Sequence, residues 1–333
     1  MLKVAINGFG RIGRSVFKVA LEKHADAVEI VAINDLTSPE VLSHLLKYDS
    51  AYGVWNHDVA SDEKSIIIDQ KHYTIYQEKE PSNLPWKDLG VDVVIESTGR
   101  FTDKESAGQH IKAGAKKVVI SAPSKGEGIP TLVLGVNADK YQGEAIVNNA
   151  SCTTNCISPV VEVMNNKFGV LKAAMTTIHA YTHDQNLQDG PHKDLRRARA
   201  AAFNMVPTST GAARATTEVI PSLKGLFDGM SIRVPIIVGS ISDITFLLKK
   251  KVTVEEINQA LTEAAEGELK GIMAVINEPI VSADIIGRSE SAIVDLGLTQ
   301  VVDGDLLKIF AWYDNEYGYS NRLIEQVINV GKA

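Results

Sequence analysis

The first 150 residues alternate short apolar segments rich in β-branched residues with longer amphipathic segments. Apolar segments of this kind are typical of strands buried on both faces of a parallel sheet. The predicted strands are Val4–Asn7, Val28–Asn34, Val91–Glu96, Val118–Ser121 and Ala145–Asn148. The predicted helices are Arg11–Lys23, a segment that begins at Ser38-Pro39-Glu40, and Lys104–Ala113. Because strands alternate with helices, we expect a parallel sheet with right-handed crossovers, interrupted by an antiparallel hairpin of Ser65–Ile68 and Tyr73–Tyr76.

From about residue 150 the strand-like segments become longer and follow one another directly. They are Ala173–Tyr181, Met230–Val234, Ile241–Lys250, Ala292–Leu296 and Leu306–Tyr313. Helices are predicted to begin at Cys152 and at Thr253, where Thr253 and Glu256 fit a capping box. A last helix, Asn321–Val330, must bury its apolar face, and we expect it to pack back on the first domain. The pattern predicts an α+β domain with a largely antiparallel sheet.

Length, charge and cysteine content narrow the classes of protein that fit. A chain of 333 residues favours two domains. Its formal charge of −7 argues against a dedicated nucleic-acid binder, and no apolar run reaches the roughly 18 residues that cross a bilayer. A strand-like pattern begins within the first residues, and these residues do not have the pattern of an export signal. We therefore expect a cytoplasmic protein. With only Cys152 and Cys156, neither a disulfide nor a zinc site is expected.

A glycine-rich segment, Gly8-Phe9-Gly10-Arg11-Ile12-Gly13, follows the first predicted strand and opens the first helix. In this pattern the first glycine allows a tight turn, the second lets a pyrophosphate approach, and the third permits close packing of helix on strand. Asp35 ends the second strand, where a carboxylate binds the adenosine ribose and disfavours the extra phosphate of NADP. The segment predicts a Rossmann-type NAD site; the structural alternative is a simple turn after each strand.

Cys152 lies at the predicted start of a helix, within Ser151-Cys152-Thr153-Thr154-Asn155-Cys156. The positive end of the helix is expected to lower the pKa of this thiol, and free backbone N–H groups there can stabilise an oxyanion. Cys156, one turn further along, is expected to be buried and inert. The structural alternative is that both cysteines are small core residues.

His179 ends a β-branched segment and is a candidate base, because a thiol nucleophile needs a neighbouring imidazole. A histidine at a strand end is otherwise commonly structural. His179 and His183 do not suit one metal ion, because four extended residues span roughly 13 Å. We therefore predict no metal site.

The most basic segment, His192–Arg199, has three possible interpretations. It is a solvated surface, a nucleic-acid contact that lacks interleaved aromatic residues, or a source of arginines that bind phosphate. The last reading gains support from the hydroxyls of Thr208-Ser209-Thr210-Gly211 and from Arg233.

Taken together, these segments resemble the phosphorylating glyceraldehyde-3-phosphate dehydrogenase family from end to end. The most specific segments are NGFGRIG at 7–13, ASCTTN at 150–155, HKDLRRARA at 192–200 and WYDNEYGYS at 312–320. The resemblance implies a glycolytic, NAD-dependent enzyme that is a homotetramer. It also implies an NAD-binding domain of residues 1–150, completed by the last helix at about 315–333, and a catalytic and tetramerisation domain of residues 151–314.

The resemblance also implies roles for individual residues. Cys152 would be the nucleophile and His179 its base. The cofactor would be bound by Asn7, Gly8, Phe9, Gly10, Arg11, Ile12, Gly13, Asp35, Thr98, Gly99, Ser121, Asn315 and Tyr319. The substrate's own phosphate would be bound by Thr182 and Arg233, and inorganic phosphate by Ser151, Thr153, Arg197, Thr210 and Gly211.

Three positions depart from the family pattern. Gly190-Pro191 stands where Leu-Pro is frequent in NAD-dependent members, Ile236-Ile237-Val238 stands where a second proline and a polar residue are usual, and His183 replaces a smaller or amide residue. The first bears on the preference for NAD, and the second on a loop or subunit contact.

The implied reaction converts glyceraldehyde 3-phosphate and inorganic phosphate to 1,3-bisphosphoglycerate through a thioester on Cys152. Erythrose-4-phosphate dehydrogenases use the same cysteine and histidine but release the acyl group to water. A thiol hydrolase built on Cys152 and His179 would leave the glycine segment and Asp35 without a role. A binding protein for RNA or other proteins has support only from the basic segment. We expect no membrane partner.

Overall fold

The apolar segments of the first 150 residues form one sheet in the computed structural model, which describes residues 1–333. Its strands are β1 Leu2–Asn7, β2 Val28–Asn34, β5 Val59–Ser61, β6 Ser65–Ile68, β7 Lys71–Tyr76, β8 Val93–Glu96, β9 Lys117–Ile120 and β10 Ile146–Asn148, with a separate two-stranded sheet of β3 Tyr48–Asp49 and β4 Gly53–Val54. The helices of this part are α1 Arg11–Lys23, α2 Pro39–Lys47, α3 Trp86–Leu89 and α4 Lys104–Lys112.

The strand order is β10-β9-β8-β1-β2-β7-β6-β5, and every pair from β10 to β7 is parallel. The pairs β7–β6 and β6–β5 are antiparallel, so the predicted hairpin is confirmed. Apolar side chains such as Val94 and Val118 pack with the fully buried Trp86 on one face of the sheet. The predicted Rossmann-type α/β fold of this part is confirmed.

The elements after residue 150 are the strands of a second sheet and four α-helices, of which the last belongs mostly to the same compact unit as the first sheet. They are α5 Cys152–Phe168, β11 Val170–Ala180, β12 Val206–Ser209, α6 Ala212–Val219, β13 Phe227–Val234, β14 Ser240–Leu248, α7 Val254–Glu266, β15 Met273–Ile276, β16 Ala292–Asp295, β17 Gln300–Val302, β18 Leu306–Tyr313 and α8 Tyr317–Lys332. The order is β12-β13-β11-β14-β18-β16-β15, and β17 pairs with β18. Only the β11–β13 and β15–β16 pairs are parallel. The largely antiparallel sheet is therefore as predicted.

The chain divides into two compact units. The first comprises Met1–Leu132, Lys140–Ala150 and Ser320–Ala333, and the second comprises Val133–Asp139 and Ser151–Tyr319. The later part of α8 lies on the sheet of the first unit, where a Cβ on Gly331 would meet Leu2 at 2.6 Å. None of the helices combines the length and the apolar character needed to cross a membrane.

Local signals explain where several helices begin. Ser151 caps α5, since its side chain accepts a hydrogen bond from Thr154 N at 3.1 Å. The capping box of α7 is formed as predicted between Thr253 and Glu256. The predicted last helix begins at Tyr317 rather than Asn321. The elements β12, α6 and β15 carry no pattern that predicted them.

Candidate active site

In the first unit, the glycine segment forms a cradle at the carboxyl ends of β1 and β2. Gly8 has a φ of +94°, and a Cβ there would meet Thr98 N at 2.7 Å. A Cβ on Gly13 would meet Gly8 O at 2.1 Å, so α1 packs directly on the turn. By contrast, a Cβ on Gly10 would have nothing within 4 Å. The backbone at Gly10 therefore faces open space, which fits the approach of a pyrophosphate to the start of α1.

A cleft of about 330 Å³ opens beside this turn. Its lining includes five of the predicted cofactor residues, namely Asn7, Gly8, Gly10, Asp35 and Thr98, together with Asn34, Leu36, Thr37, Glu78, Lys79, Ser97, Arg100 and Phe101. The Asp35 carboxylate accepts hydrogen bonds from Phe9 N and Thr37 N at 2.8 and 2.9 Å. These bonds hold the carboxylate in the cleft wall, so the residues present fit a dinucleotide.

Other predicted cofactor residues do not line this cleft. The Phe9 side chain is in the core, 5.5 Å from the Phe17 ring, so only its backbone is near the turn. Arg11 pairs with Asp49 at 2.8 Å. Ile12, Gly13, Gly99 and Ser121 are absent from the lining. Asn315 and Tyr319 belong to the second unit and are buried there.

In the second unit, Cys152 at the start of α5 faces His179 near the end of β11. The Cys152 Sγ atom lies 3.4 Å from His179 Nε2. On the other side of the ring, His179 Nδ1 lies 2.6 Å from Ala180 O and 2.7 Å from Arg233 Nη1. A general base requires the tautomer in which Nδ1 donates its proton to Ala180 O and Nε2 is free to accept a proton from the sulfur side. Because Arg233 Nη1 can only donate, this tautomer requires the guanidinium group to donate to Ala180 O, 3.1 Å away, rather than to the ring.

Desolvation favours the neutral form of both members of this pair, of which His179 is buried and Cys152 half-buried. Burial, reinforced by the positive charge of Arg233, lowers the pKa of His179 to about 3. Burial raises the pKa of the Cys152 thiol, although Arg233 and the backbone amides of Cys152 and Thr153 act in the opposite direction. The expected lowering of this pKa by the helix start is therefore wrong, because desolvation of the thiolate outweighs it. Cys156 is buried and its pKa is also raised by burial, as expected for an inert thiol.

The predicted phosphate-binding residues lie in a cluster of charges around Asp184. Arg197 Nη1 and Thr182 Oγ1 both donate to this carboxylate. Burial acts to raise the pKa of Asp184, but the Thr182 hydrogen bond and the charges of Arg197 and Arg233 outweigh it and lower that pKa. Two guanidinium groups thus act on the Asp184 carboxylate, and Arg197 Nε also lies 3.6 Å from the Asp194 carboxylate, so two arginines face two carboxylates in this cluster.

The remaining predicted anion ligands lie at helix starts. Thr210 and Gly211 precede α6, and Thr210 Oγ1 accepts a hydrogen bond from Ala212 N at 3.2 Å. Ser151 caps α5, while Thr153 Oγ1 lies 2.9 Å from Tyr313 OH. Helix starts present free N–H groups to anions, which fits phosphate.

Asn315 is oriented by its carboxamide oxygen. Gly239 N donates to Asn315 Oδ1 at 3.1 Å and Ser240 Oγ donates to it at 3.0 Å. The amide nitrogen is thereby turned away from these donors and is suited to donate to a ligand.

The three positions that depart from the family pattern are partly explained. Gly190 N donates to Ala198 O at 2.9 Å, and Gly190 O accepts from Asn186 Nδ2 at 2.7 Å, so this loop is held from within. Ile237 is exposed and Val238 is buried. His183 is exposed, and nothing in the structure explains its identity.

The sequence reasoning missed several polar residues that shape these sites. Asn34, Glu96 and His110 form a buried network below the cleft, and Asp184 organises the arginine cluster. Asn34 and Glu96 each end a strand whose register partner is Asn7, which was a usable signal for their position.

Comparison with known proteins follows the same division of the chain. A family model described as "Glyceraldehyde 3-phosphate dehydrogenase, NAD binding domain" matches residues 2–104, and one described as "Glyceraldehyde 3-phosphate dehydrogenase, C-terminal domain" matches residues 151–315. The chain is 54% identical to glyceraldehyde-3-phosphate dehydrogenase of Mycolicibacterium smegmatis, over 100% of this chain and 99% of the relative. It is 52% identical to the Geobacillus stearothermophilus protein of the same name, over 97% and 96%, and 53% identical to glyceraldehyde-3-phosphate dehydrogenase 1 of Bacillus cereus, over 98% and 97%.

The low pKa of His179 predicts an acid-sensitive contribution to stability. That pKa is about 3 in the folded chain and 6.5 as a reference, so between these values the unfolded chain binds one proton more. Stability is therefore lost as the pH falls below about 6.5. Between pH 7 and pH 5, the free energy of unfolding should drop by about 2 kcal/mol more for the unchanged chain than for His179→Asn.

Urea unfolding at the two pH values measures this difference. The matched control is His183→Asn, which removes an exposed histidine and should follow the unchanged chain. Equal acid sensitivity of His179→Asn and the unchanged chain would contradict the assignment of a neutral, buried imidazole.

Proposed function

This chain belongs to the glyceraldehyde-3-phosphate dehydrogenase family, and on that premise we propose that it oxidises and phosphorylates D-glyceraldehyde 3-phosphate to 1,3-bisphosphoglycerate with NAD. The observation that carries the proposal is the 3.4 Å contact between Cys152 Sγ and the Nε2 atom of a neutral His179. A thiol and a base in this relation can form and resolve a thioester.

The residues of the first unit fit the cofactor. Gly8, Gly10 and Asp35 would bind the pyrophosphate and the adenosine ribose, with Asn7 and Thr98 in the same cleft wall. In the second unit, Asn315 would hold the nicotinamide carboxamide, and Tyr319 would line that pocket. The chemistry that NAD supplies when bound is acceptance of a hydride.

Cys152 carries the substrate through the reaction. Its sulfur attacks the aldehyde carbon as His179 Nε2 takes the thiol proton and passes it to the carbonyl oxygen, so the product is a neutral hemithioacetal. During oxidation to the thioester, His179 Nε2 takes the proton of the hemithioacetal hydroxyl. General-base assistance of this kind is worth roughly 10²–10⁴-fold in rate. Amides at the start of α5 stabilise the developing oxyanion.

Phosphate groups are assigned to the charged cluster of the second unit. Thr182 and Arg233 would bind the phosphate of the substrate. Ser151, Thr153, Arg197, Thr210 and Gly211 would bind inorganic phosphate, which attacks the thioester and releases the acyl phosphate. The guanidinium groups of Arg197 and Arg233, which both act on Asp184, support these assignments, because arginine binds phosphate through paired hydrogen bonds.

We further propose a cytoplasmic homotetramer of the domain organisation predicted above. The loop from Thr182 to Met205 exposes Leu187, Leu195, Phe203 and Met205 by 75 to 85%. Apolar side chains grouped in this way are typical of a surface that another subunit covers. The free thiols of Cys152 and Cys156 suit a reducing compartment.

The decisive experiment follows nicotinamide reduction with glyceraldehyde 3-phosphate, with and without inorganic phosphate, using NAD and NADP in parallel. We expect fast reduction of NAD that depends on phosphate, because the thioester needs an acceptor held beside it. Slow or phosphate-independent reduction would instead indicate a hydrolytic relative, and erythrose 4-phosphate would be the next substrate.

Replacement of the nucleophile should separate chemistry from binding. Cys152→Ser should abolish NAD reduction and leave the dissociation constant of NAD unchanged, because Cys152 is assigned to the substrate rather than to the cofactor. The control is Cys156→Ser, whose thiol is buried 3.7 Å from Ala311 O and has no assigned role. Retained dehydrogenase turnover in Cys152→Ser would refute the thioester scheme.

Asp35 should set the preference between the two cofactors. Asp35→Ala and the isosteric Asp35→Asn both remove the negative charge, so the NADP-to-NAD ratio of kcat/KM should rise by about ten-fold, as for loss of one charged hydrogen bond. Steady-state kinetics with each cofactor measures the ratio. An unchanged ratio in both variants would contradict the assignment of this carboxylate to the ribose.

A further inference from the structure

Three adjacent strands of the first unit end in polar residues at the same level. Asn7 of β1 is in register with Asn34 of β2 on one side and with Glu96 of β8 on the other. All three side chains are at least 95% buried. Asn34 Nδ2 donates to Asn7 Oδ1 at 2.7 Å, and Asn7 Nδ2 donates to Glu96 Oε2 at 2.6 Å. The Asn7 amide is therefore held at both ends, and its orientation is fixed.

Glu96 is a buried carboxylate that has no lysine or arginine partner among its hydrogen bonds. Its Oε2 atom accepts from Asn7 Nδ2 and from His110 Nε2, the latter at 3.0 Å. Its Oε1 atom accepts from Thr98 N at 2.8 Å and from Thr98 Oγ1. Four donors thus converge on one carboxylate, and both of its oxygens are satisfied although the group is buried.

The tautomer of His110 is fixed from its far side. Trp86 Nε1, which can only donate, lies 3.0 Å from His110 Nδ1. Nδ1 must therefore accept, and the ring proton is on Nε2, where it points at Glu96. Both Trp86 and His110 are fully buried. The ring acts as a fixed, neutral donor to the carboxylate.

Three residues of the network, Asn7, Asn34 and Thr98, line the cleft, whereas Glu96, His110 and Trp86 lie behind the lining. The backbone of Thr98 passes so close to Gly8 that a Cβ on Gly8 would meet Thr98 N at 2.7 Å. The position of this amide, which Glu96 holds, therefore shapes the cleft wall beside the glycine turn.

We propose that Glu96 and His110 are positioning residues for the cofactor, which act through Asn7 and Thr98. The inference rests on the proposed assignment of this cleft to NAD. The residues that line the cleft next to Asp35 are held in place mainly by hydrogen bonds outside this network. Asn34 exchanges two hydrogen bonds of 2.9 Å with the backbone of Glu78, and these do not involve Glu96.

The strand order provides a way to test the two sides of the cleft separately. Asp35 follows β2 and Thr98 follows β8, and these strands flank β1 on opposite sides. AMP should occupy the Asp35 side alone, because the acidic residue binds the adenosine ribose. NAD needs both sides.

The test compares the dissociation constants of NAD and AMP for the unchanged chain and Glu96→Gln by calorimetry. In Glu96→Gln an NH₂ group replaces either Oε1 or Oε2. At the first position it would face the donors of Thr98, and at the second it would face the Asn7 amide, so one of these two residues must move. The dissociation constant of NAD should rise by about ten-fold or more, and that of AMP by less than about two-fold. With NAD saturating, kcat and the KM values of aldehyde and phosphate should be unchanged.

A matched control replaces a carboxylate at the other end of the same strand. Asp92 precedes β8 and accepts hydrogen bonds from Lys3 N and Lys116 Nζ, each at 2.8 Å. Asp92→Asn should leave both dissociation constants unchanged. Trp86→Phe is the milder second variant, which keeps the aromatic ring but frees His110 Nδ1. It should also weaken NAD binding more than AMP binding. It therefore tests the inference even if Glu96→Gln does not fold to a soluble protein.

Each outcome of this experiment has a definite meaning. If either variant lowers the urea midpoint while NAD binds normally, the network only stabilises the fold and the inference is wrong. Equal weakening of NAD and AMP would overturn it as well, because the network would then support the entire cleft. Failure of the unchanged chain to bind NAD would refute the proposed function instead.

Discussion

The hydroxyl group of Tyr313 connects the start of α5 to the end of β11, and the active-site pair depends on that connection. Tyr313 OH lies 2.9 Å from Thr153 Oγ1 and 2.7 Å from Thr177 Oγ1. Thr153 adjoins Cys152, and Thr177 lies two residues before His179, on the same face of the strand. The Tyr313 ring also meets the His179 ring edge-on at 5.9 Å. One phenol thus sets the distance between the thiol and its base.

Arg233 reaches this pair because of strand register. His179 of β11 pairs with Arg233 of β13, so the guanidinium group lies beside the imidazole on the side opposite the sulfur. Its charge lowers the pKa of both partners, which favours the thiolate and disfavours the imidazolium. Transfer of a proton from Cys152 to His179 leaves the net charge of the pair unchanged, so these two effects largely cancel. Arg233 can therefore bind an anion without shifting the proton balance between thiol and base.

The elements predicted most accurately from the sequence are those whose signal lies within their own residues. The bounds of α1, β2 and β18 agree with the predicted segments, because each has a long apolar pattern of its own and the glycine turn marks the start of α1. The short elements β12, α6 and β15 were missed, since segments of four to eight residues are too short to show a clear periodicity. Glycine spacing located the turn that borders the cleft, and the motif around Cys152 located the thiol that faces His179. The direction of the Cys152 pKa was wrong because the burial of a thiol depends on distant segments such as Tyr313.

The same limit explains why the network around Glu96 carries no sequence motif. Each of its members is common by itself, and only the parallel register of β1, β2 and β8 brings Asn7, Asn34 and Glu96 together. A histidine from α4 and a tryptophan from α3 complete it. The two units thus use burial in opposite ways. In the second unit, burial keeps Cys152 and His179 neutral until a proton moves between them. In the first unit, four converging donors satisfy the buried carboxylate of Glu96, and these hydrogen bonds hold in place the backbone and side chains of the cleft wall.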